Sequence, residues 1–148
     1  QELAKAIARD GEGAMCLIEV KVQGARNESD AIKIARSVTN SALVKTAVHG
    51  SDPNWGRIIS AAGNAGVDFD LYMVDLFIGP FQILRKGLQA SFSKDEVAKF
   101  MTSKINGDYL ESDILPIIIN LNIGDGESTS WGCDLSKEYI EINSEYTT

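Results

Sequence analysis

Two short segments hold the side chains best suited to chemistry. In Asp10-Gly11-Glu12-Gly13-Ala14 a carboxylate sits between two glycines, small neighbours that leave it room to approach a ligand. An exposed turn acid would give the same letters. In His49-Gly50-Ser51-Asp52-Pro53-Asn54-Trp55-Gly56-Arg57 an imidazole, an acid, an amide and a guanidinium stand close together. His49 offers a general base or a satisfied, half-buried side chain. Asp52, Asn54 and Arg57 offer a positioning set or a scaffold. The scaffold reading is favoured, because Asp52 as an N-cap with Pro53 at the first helical position explains most of the pattern. Arg57 is then expected to pair with Asp52 or with Asp134.

Other candidates carry less. Cys16 and Cys133 are the two cysteines, and two in a chain of this size do not make a disulfide scaffold. With a single histidine there is no zinc set either. Buried thiols in a reducing compartment are the expectation. Trp131-Gly132-Cys133-Asp134 reads as packing plus a turn, and Lys45 as a surface lysine or a subunit contact. The Gly124-Asp125-Gly126 loop lacks the lysine and following helix of a phosphate cradle.

The elements that must position these groups follow from periodicity. Leu3 and Ile7 lie one helical turn apart in an opening helix that Gly11 ends. Met15 to Val22 alternates as a strand closed by Gly24, with Cys16, Ile18, Val20 and Val22 on the apolar face. Asn27 or Ser29 caps a helix whose buried stripe is Ala31, Ile34, Ala35, Val38 and Ala42. A second helix runs from Asp52, with Trp55, Ile58, Ile59 and Ala62 inward and Gly63 and Gly66 as stops. Leu71 to Ile78 and Phe81 to Leu84 read as strands around Gly79-Pro80. Ser93 with Glu96 forms a capping box for a helix buried through Val97, Phe100 and Met101. After an Asn106-Gly107 turn come strands at Ile114 to Ile123, Ser128 to Cys133 and Tyr139 to Asn143.

That order gives one α/β (α+β) unit over residues 1–148, with helices packed on a mixed, largely antiparallel sheet. The 148 residues and 44% hydrophobic content suit one core. The formal charge, 14 − 21 = −7, repels phosphate backbones and argues against a nucleic-acid partner. The apolar run near Ile114 to Ile119 is far shorter than the roughly 20 residues a membrane span needs.

Taken in order, DGEGA, LVKTA before HGSDPNWGR, WGCDL and the run Tyr139 to Thr148 resemble the ornithine acetyltransferase (glutamate N-acetyltransferase) family. The likeness covers essentially the whole chain and is to the C-terminal part of the family's β-chain. It implies a larger layered fold and a two-chain enzyme made by self-cleavage, expected as an α2β2 heterotetramer. It further implies a Thr nucleophile that takes an acetyl group from N-acetylornithine and passes it to glutamate, in arginine biosynthesis. This chain opens on Gln1, so the nucleophile is expected outside it, upstream, and no catalytic residue is expected within it. The partners implied are the two substrates, the remainder of the β-chain and the α-chain.

Residue by residue, the resemblance carries substrate binding to Glu12, Asn143 and Thr148. A carboxylate at Glu12 suits the ammonium common to glutamate and ornithine, and Asn and Thr suit a carboxylate or an amide. No resident cofactor or metal is implied, and acetyl-CoA enters only as an acetyl donor if the protein is bifunctional. The compartment implied is the cytoplasm, or the mitochondrial matrix in a fungus. Met15-Cys16 departs from the Thr-Lys common at that place, which opens the question of substrate identity. A non-catalytic amino-acid-binding or subunit-assembly module with the same fold is the alternative.

Overall fold

The computed structural model describes residues 1–9, 15–105 and 113–134. Along them run α1 (Glu2–Arg9), β1 (Leu17–Ala25), α2 (Glu28–Thr39), α3 (Ala42–His49), α4 (Trp55–Gly63), a 3-10 turn (Leu71–Met73), β2 (Asp75–Ile78), β3 (Phe81–Arg85), β4 (Leu88–Gln89), α5 (Lys94–Ser103), β5 (Ile114–Asn120) and β6 (Gly126–Cys133). The strands form a single sheet in the order β4-β3-β2-β5-β1-β6. Only β1 and β5 pair in parallel; the other described pairs are antiparallel. This is the mixed, largely antiparallel sheet with packed helices that the periodicity predicts.

The alternation of β1 decides its faces. Ile18, Val20 and Val22 are fully buried under α2, and their sheet neighbours Leu115, Ile117 and Ile119 continue the same apolar face. Leu76 and Ile78 of β2 extend it. From above, Ala31, Ile34, Ala35 and Val38 of α2 pack down on it at helical spacing. Glu19, Lys21, Ile114, Pro116, Ile118, Phe77, Thr129 and Trp131 alternate onto the opposite face, where they are half-buried.

Several boundaries differ from those read off the sequence. The stretch from Leu71 to Ile78 is not one strand: the Asp70 side chain accepts from the Tyr72 amide and turns Leu71–Met73 into a 3-10 helix, so β2 begins only at Asp75. Strand β1 runs through Gly24, which bulges the ladder at φ +67 instead of ending it. Ile123 leaves the apolar face and is 43% exposed, because β5 stops at Asn120, whose side chain accepts from the Asn122 amide. Leu3 is 74% exposed, so α1 does not bury it within this chain. A third helix, α3, stands where one long stripe was expected; Ala42 starts it, exposed, behind the Ser41 cap. Asn27 caps α2, and the Ser93 side chain caps α5 by accepting from the Glu96 amide at 3.2 Å. The Asn106-Gly107 turn and the Tyr139 to Asn143 strand fall outside the described residues. Among the described residues, no helix is long and apolar enough to cross a membrane.

The cap of α4 is Asn54, not Asp52. The Asn54 side chain accepts from the Arg57 amide at 3.1 Å, while Asp52 is spent on ending α3. Its amide donates to Ala47 and that of Ser51 to Val48, with Ser51 left-handed at φ +52, the pattern of a Schellman C-cap. Two helix signals overlap here within a few residues, and the acid belongs to the earlier one. Asn54→Ala should therefore cost about 1 kcal/mol of stability and Asp52→Ala clearly less. Urea unfolding of the two variants checks this, and equal losses would return the cap to Asp52.

Candidate functional site

One end of the sheet gathers the polar groups. There the start of β1, the start of β5 and the end of β6 share a row, with Leu17 paired to both Ile114 and Cys133. The neighbours of that row are Met15 and Cys16, buried Asp113, and Asp134. The last turn of α3 brings His49 against the same row.

Asp134 is the hub. It is fully buried, and its carboxylate is satisfied from three directions. Oδ1 accepts from the Met15 amide at 2.8 Å and the Cys16 amide at 3.0 Å. Oδ2 lies 2.7 Å from His49 Nδ1. A carboxylate only accepts, so Nδ1 carries the proton of that bond. A buried acid is tolerated because these donors replace its water. The backbone amide of Asp134 also donates to the Cys16 carbonyl, closing the β1–β6 ladder at this end.

The thiols here are not armed. Burial pushes the Cys16 thiol well up, and the Asp134 and Asp113 carboxylates push it further. Burial raises Cys133 as well, against the opposing pull of Lys45. Both stay protonated at neutral pH, so neither offers the thiolate a nucleophile needs. Both cysteines are free, Cys16 buried as expected and Cys133 partly exposed. Among the described residues, no group of three or more His, Cys, Asp or Glu could hold a metal ion.

HGSDPNWGR is mostly scaffold, although the cap within it is Asn54 and not Asp52. The Ser51 and Thr102 hydroxyls bond at 2.8 Å, tying the α3–α4 connection to α5. Arg57 corrects the sequence reading: it pairs with neither Asp52 nor Asp134. Its guanidinium donates to the Leu43 carbonyl and the Thr46 hydroxyl, across to α3, within reach of a side chain one turn into α4. His49 is the satisfied, half-buried side chain, 35% exposed. Trp131 packs as expected, with its indole N–H donated to Glu19 at 2.8 Å and the Lys5 ammonium 5.7 Å from its ring centre.

Glu12, Asn143 and Thr148 lie outside the described residues. Cys16, at the place where the sequence departs from the family pattern, turns its side chain into the core. Asp134 is the residue sequence reasoning undervalued. Its letter follows a strand like any turn acid, and only the pairing of β1 with β6 reveals its three donors. A cleft of about 600 Å³ beside the β3–β4 hairpin is lined by Pro80, Phe81, Gln82, Arg85, Leu88 and Phe92 among others.

The model of the ArgJ family matches residues 1–148. The chain is 62% identical over 148 residues to the arginine biosynthesis bifunctional protein ArgJ of Prochlorococcus marinus subsp. pastoris, covering 100% of this chain and 37% of that one. It is 51% identical to the protein of the same name from Dehalococcoides mccartyi, again over the whole chain and 34% of the relative. The crystal structure of arginine biosynthesis bifunctional protein argJ from Bacillus halodurans superposes with a TM-score of 0.89 at 43% identity, over 98% of this chain and 64% of that one. The chain thus spans about a third of the length of the curated relatives it matches. The expected placement at their C-terminal end is not borne out by these matches. A family model matched along every residue and a shared fold at this identity leave one conclusion: the chain belongs to the ArgJ family.

Proposed function

We propose that this chain is a substrate-binding portion of an acetyltransferase of arginine biosynthesis, which moves an acetyl group from N-acetylornithine to glutamate. The family match along all 148 residues carries this reading. The nucleophile is a Thr outside this chain, and Glu12, Asn143 and Thr148 hold the amino-acid substrate. Supporting geometry comes from the sheet end. Met15 follows the stretch that contains Glu12, Asp134 precedes the stretch that contains Asn143 and Thr148, and the two are joined by a hydrogen bond. Acetyl-CoA serves as a second acetyl donor if the bifunctional character for which the relatives are named extends to this protein.

The remaining parts of the protein are its partners, in an α2β2 assembly. The half-buried face with Phe77, Ile114, Pro116, Ile118 and Trp131 supports this, since so much apolar surface on a sheet calls for a covering layer. Two free thiols suit a reducing cytoplasm.

Glu12→Ala in the assembled enzyme tests the site. Losing one charge-assisted contact to the ammonium should raise the KM for glutamate about tenfold. A KM equal to that of the parent enzyme removes Glu12 from the site.

A further inference from the structure

We propose that Asp134, steadied by His49, is a positioning residue for the amino-acid subsite; this rests on the reading of Glu12 given above. Successive amides along a regular strand point to opposite sides, so one partner cannot take both. Here the Met15 and Cys16 amides both point at Asp134 Oδ1, at 2.8 and 3.0 Å. The backbone is therefore turned where it enters β1, and one buried carboxylate sets its direction. The ladder does not need this side chain, because the Asp134 amide already bonds to the Cys16 carbonyl. The carboxylate adds control over the direction of the backbone at Met15 and Cys16. His49 holds the other oxygen at 2.7 Å, so the carboxylate cannot rotate away from the two amides. Arriving from residue 14 is the stretch with Glu12, whose carboxylate must meet an ammonium within a few tenths of an ångström to bind it well.

The assembled enzyme tests this. Asp134→Ala is expected to raise the KM for glutamate about tenfold while kcat changes less than about threefold. Asp134→Asn keeps an oxygen for both amides and should bring KM back to within about twofold of the parent. On a Glu12→Ala background, Asp134→Ala should add less than about twofold, because the group it positions is already gone. His49→Ala removes one of three contacts and keeps the buried acid, so it serves where Asp134→Ala fails to fold. Its KM should rise about threefold, and His49→Asn, whose amide N–H can replace Nδ1–H, should restore it. An unchanged KM in both Asp134→Ala and His49→Ala overturns the proposal. So does an effect of either that persists undiminished on the Glu12→Ala background. The two failures separate cleanly. A silent Glu12→Ala takes down the Glu12 reading and this proposal with it, whereas a raised KM in Glu12→Ala beside silent Asp134 and His49 variants takes down this proposal alone.

Discussion

The 148 residues, purified by themselves, will transfer no acetyl group between N-acetylornithine and glutamate. A transferase of this kind needs a nucleophile paired with a base. The described residues offer none. Cys16 and Cys133 are held protonated, chiefly by burial. No Ser, Thr or Cys side chain among the described residues hydrogen-bonds to His49, whose Nδ1 is committed to Asp134. The hydroxyls of Ser51 and Thr102 bond to each other, and that of Thr46 to its own helix and to Arg57. Release of ornithine from N-acetylornithine in the presence of glutamate measures the outcome. Turnover above the buffer control, abolished by a substitution within these 148 residues, would place the nucleophile inside the chain and sink the reading.

The second large effect concerns stability. Gly126 opens β6 against the turn into α2, and a β-carbon there would collide with the backbone of Asn27, the α2 cap. Backbone cannot step aside as the tip of a flexible side chain can. Gly126→Ala should therefore cost about 3 kcal/mol, at the upper end of what overpacking does. Gly63 provides the contrast. It is the last residue of α4, exposed, with nothing near the place its β-carbon would take. Gly63→Ala should be neutral or stabilise by up to about 1 kcal/mol, by narrowing the unfolded ensemble. Urea midpoints at unchanged slope distinguish them. A Gly126→Ala protein as stable as its parent would mean that β6 can shift off the turn.

What the sequence revealed and what it hid follow from the range of the interactions. Helix α2, the Ser93 cap of α5 and the apolar face of β1 depend on neighbours a turn or two apart, and each was legible. The end of α3 and the start of α4 compete for the same letters. Asp52 looked like a cap until the bond from its amide to Ala47 assigned it to the earlier helix. In Leu71 to Ile78 the apolar run hid a single side-chain bond, from the Tyr72 amide to Asp70, that turns half of it away from the sheet. Arg57 reached for carbonyl and hydroxyl oxygens on α3, where charge pairing had pointed to acids. Asp134 depends on partners at residues 15, 16 and 49, far away along the chain, and no local pattern announces it. Glu12, Asn143 and Thr148 rest on the family resemblance alone.

The sheet order carries a consequence for how the chain acquires its structure. The first described strand, β1, has as its two neighbours the last two described strands, β5 and β6. Leu17 must find Ile114, so the central ladder closes only after nearly all of the intervening chain has been gathered in. Loop-closure entropy is spent before any of these contacts is rewarded, which makes such pairings slow. During synthesis β1 leaves the ribosome ahead of β5 and β6, and the two edges they occupy stay open until both strands have been made. An unsatisfied strand of this kind is what chaperones bind and what aggregates when they are scarce. The yield of folded protein should therefore depend on what protects Leu17 to Ala25 during that wait.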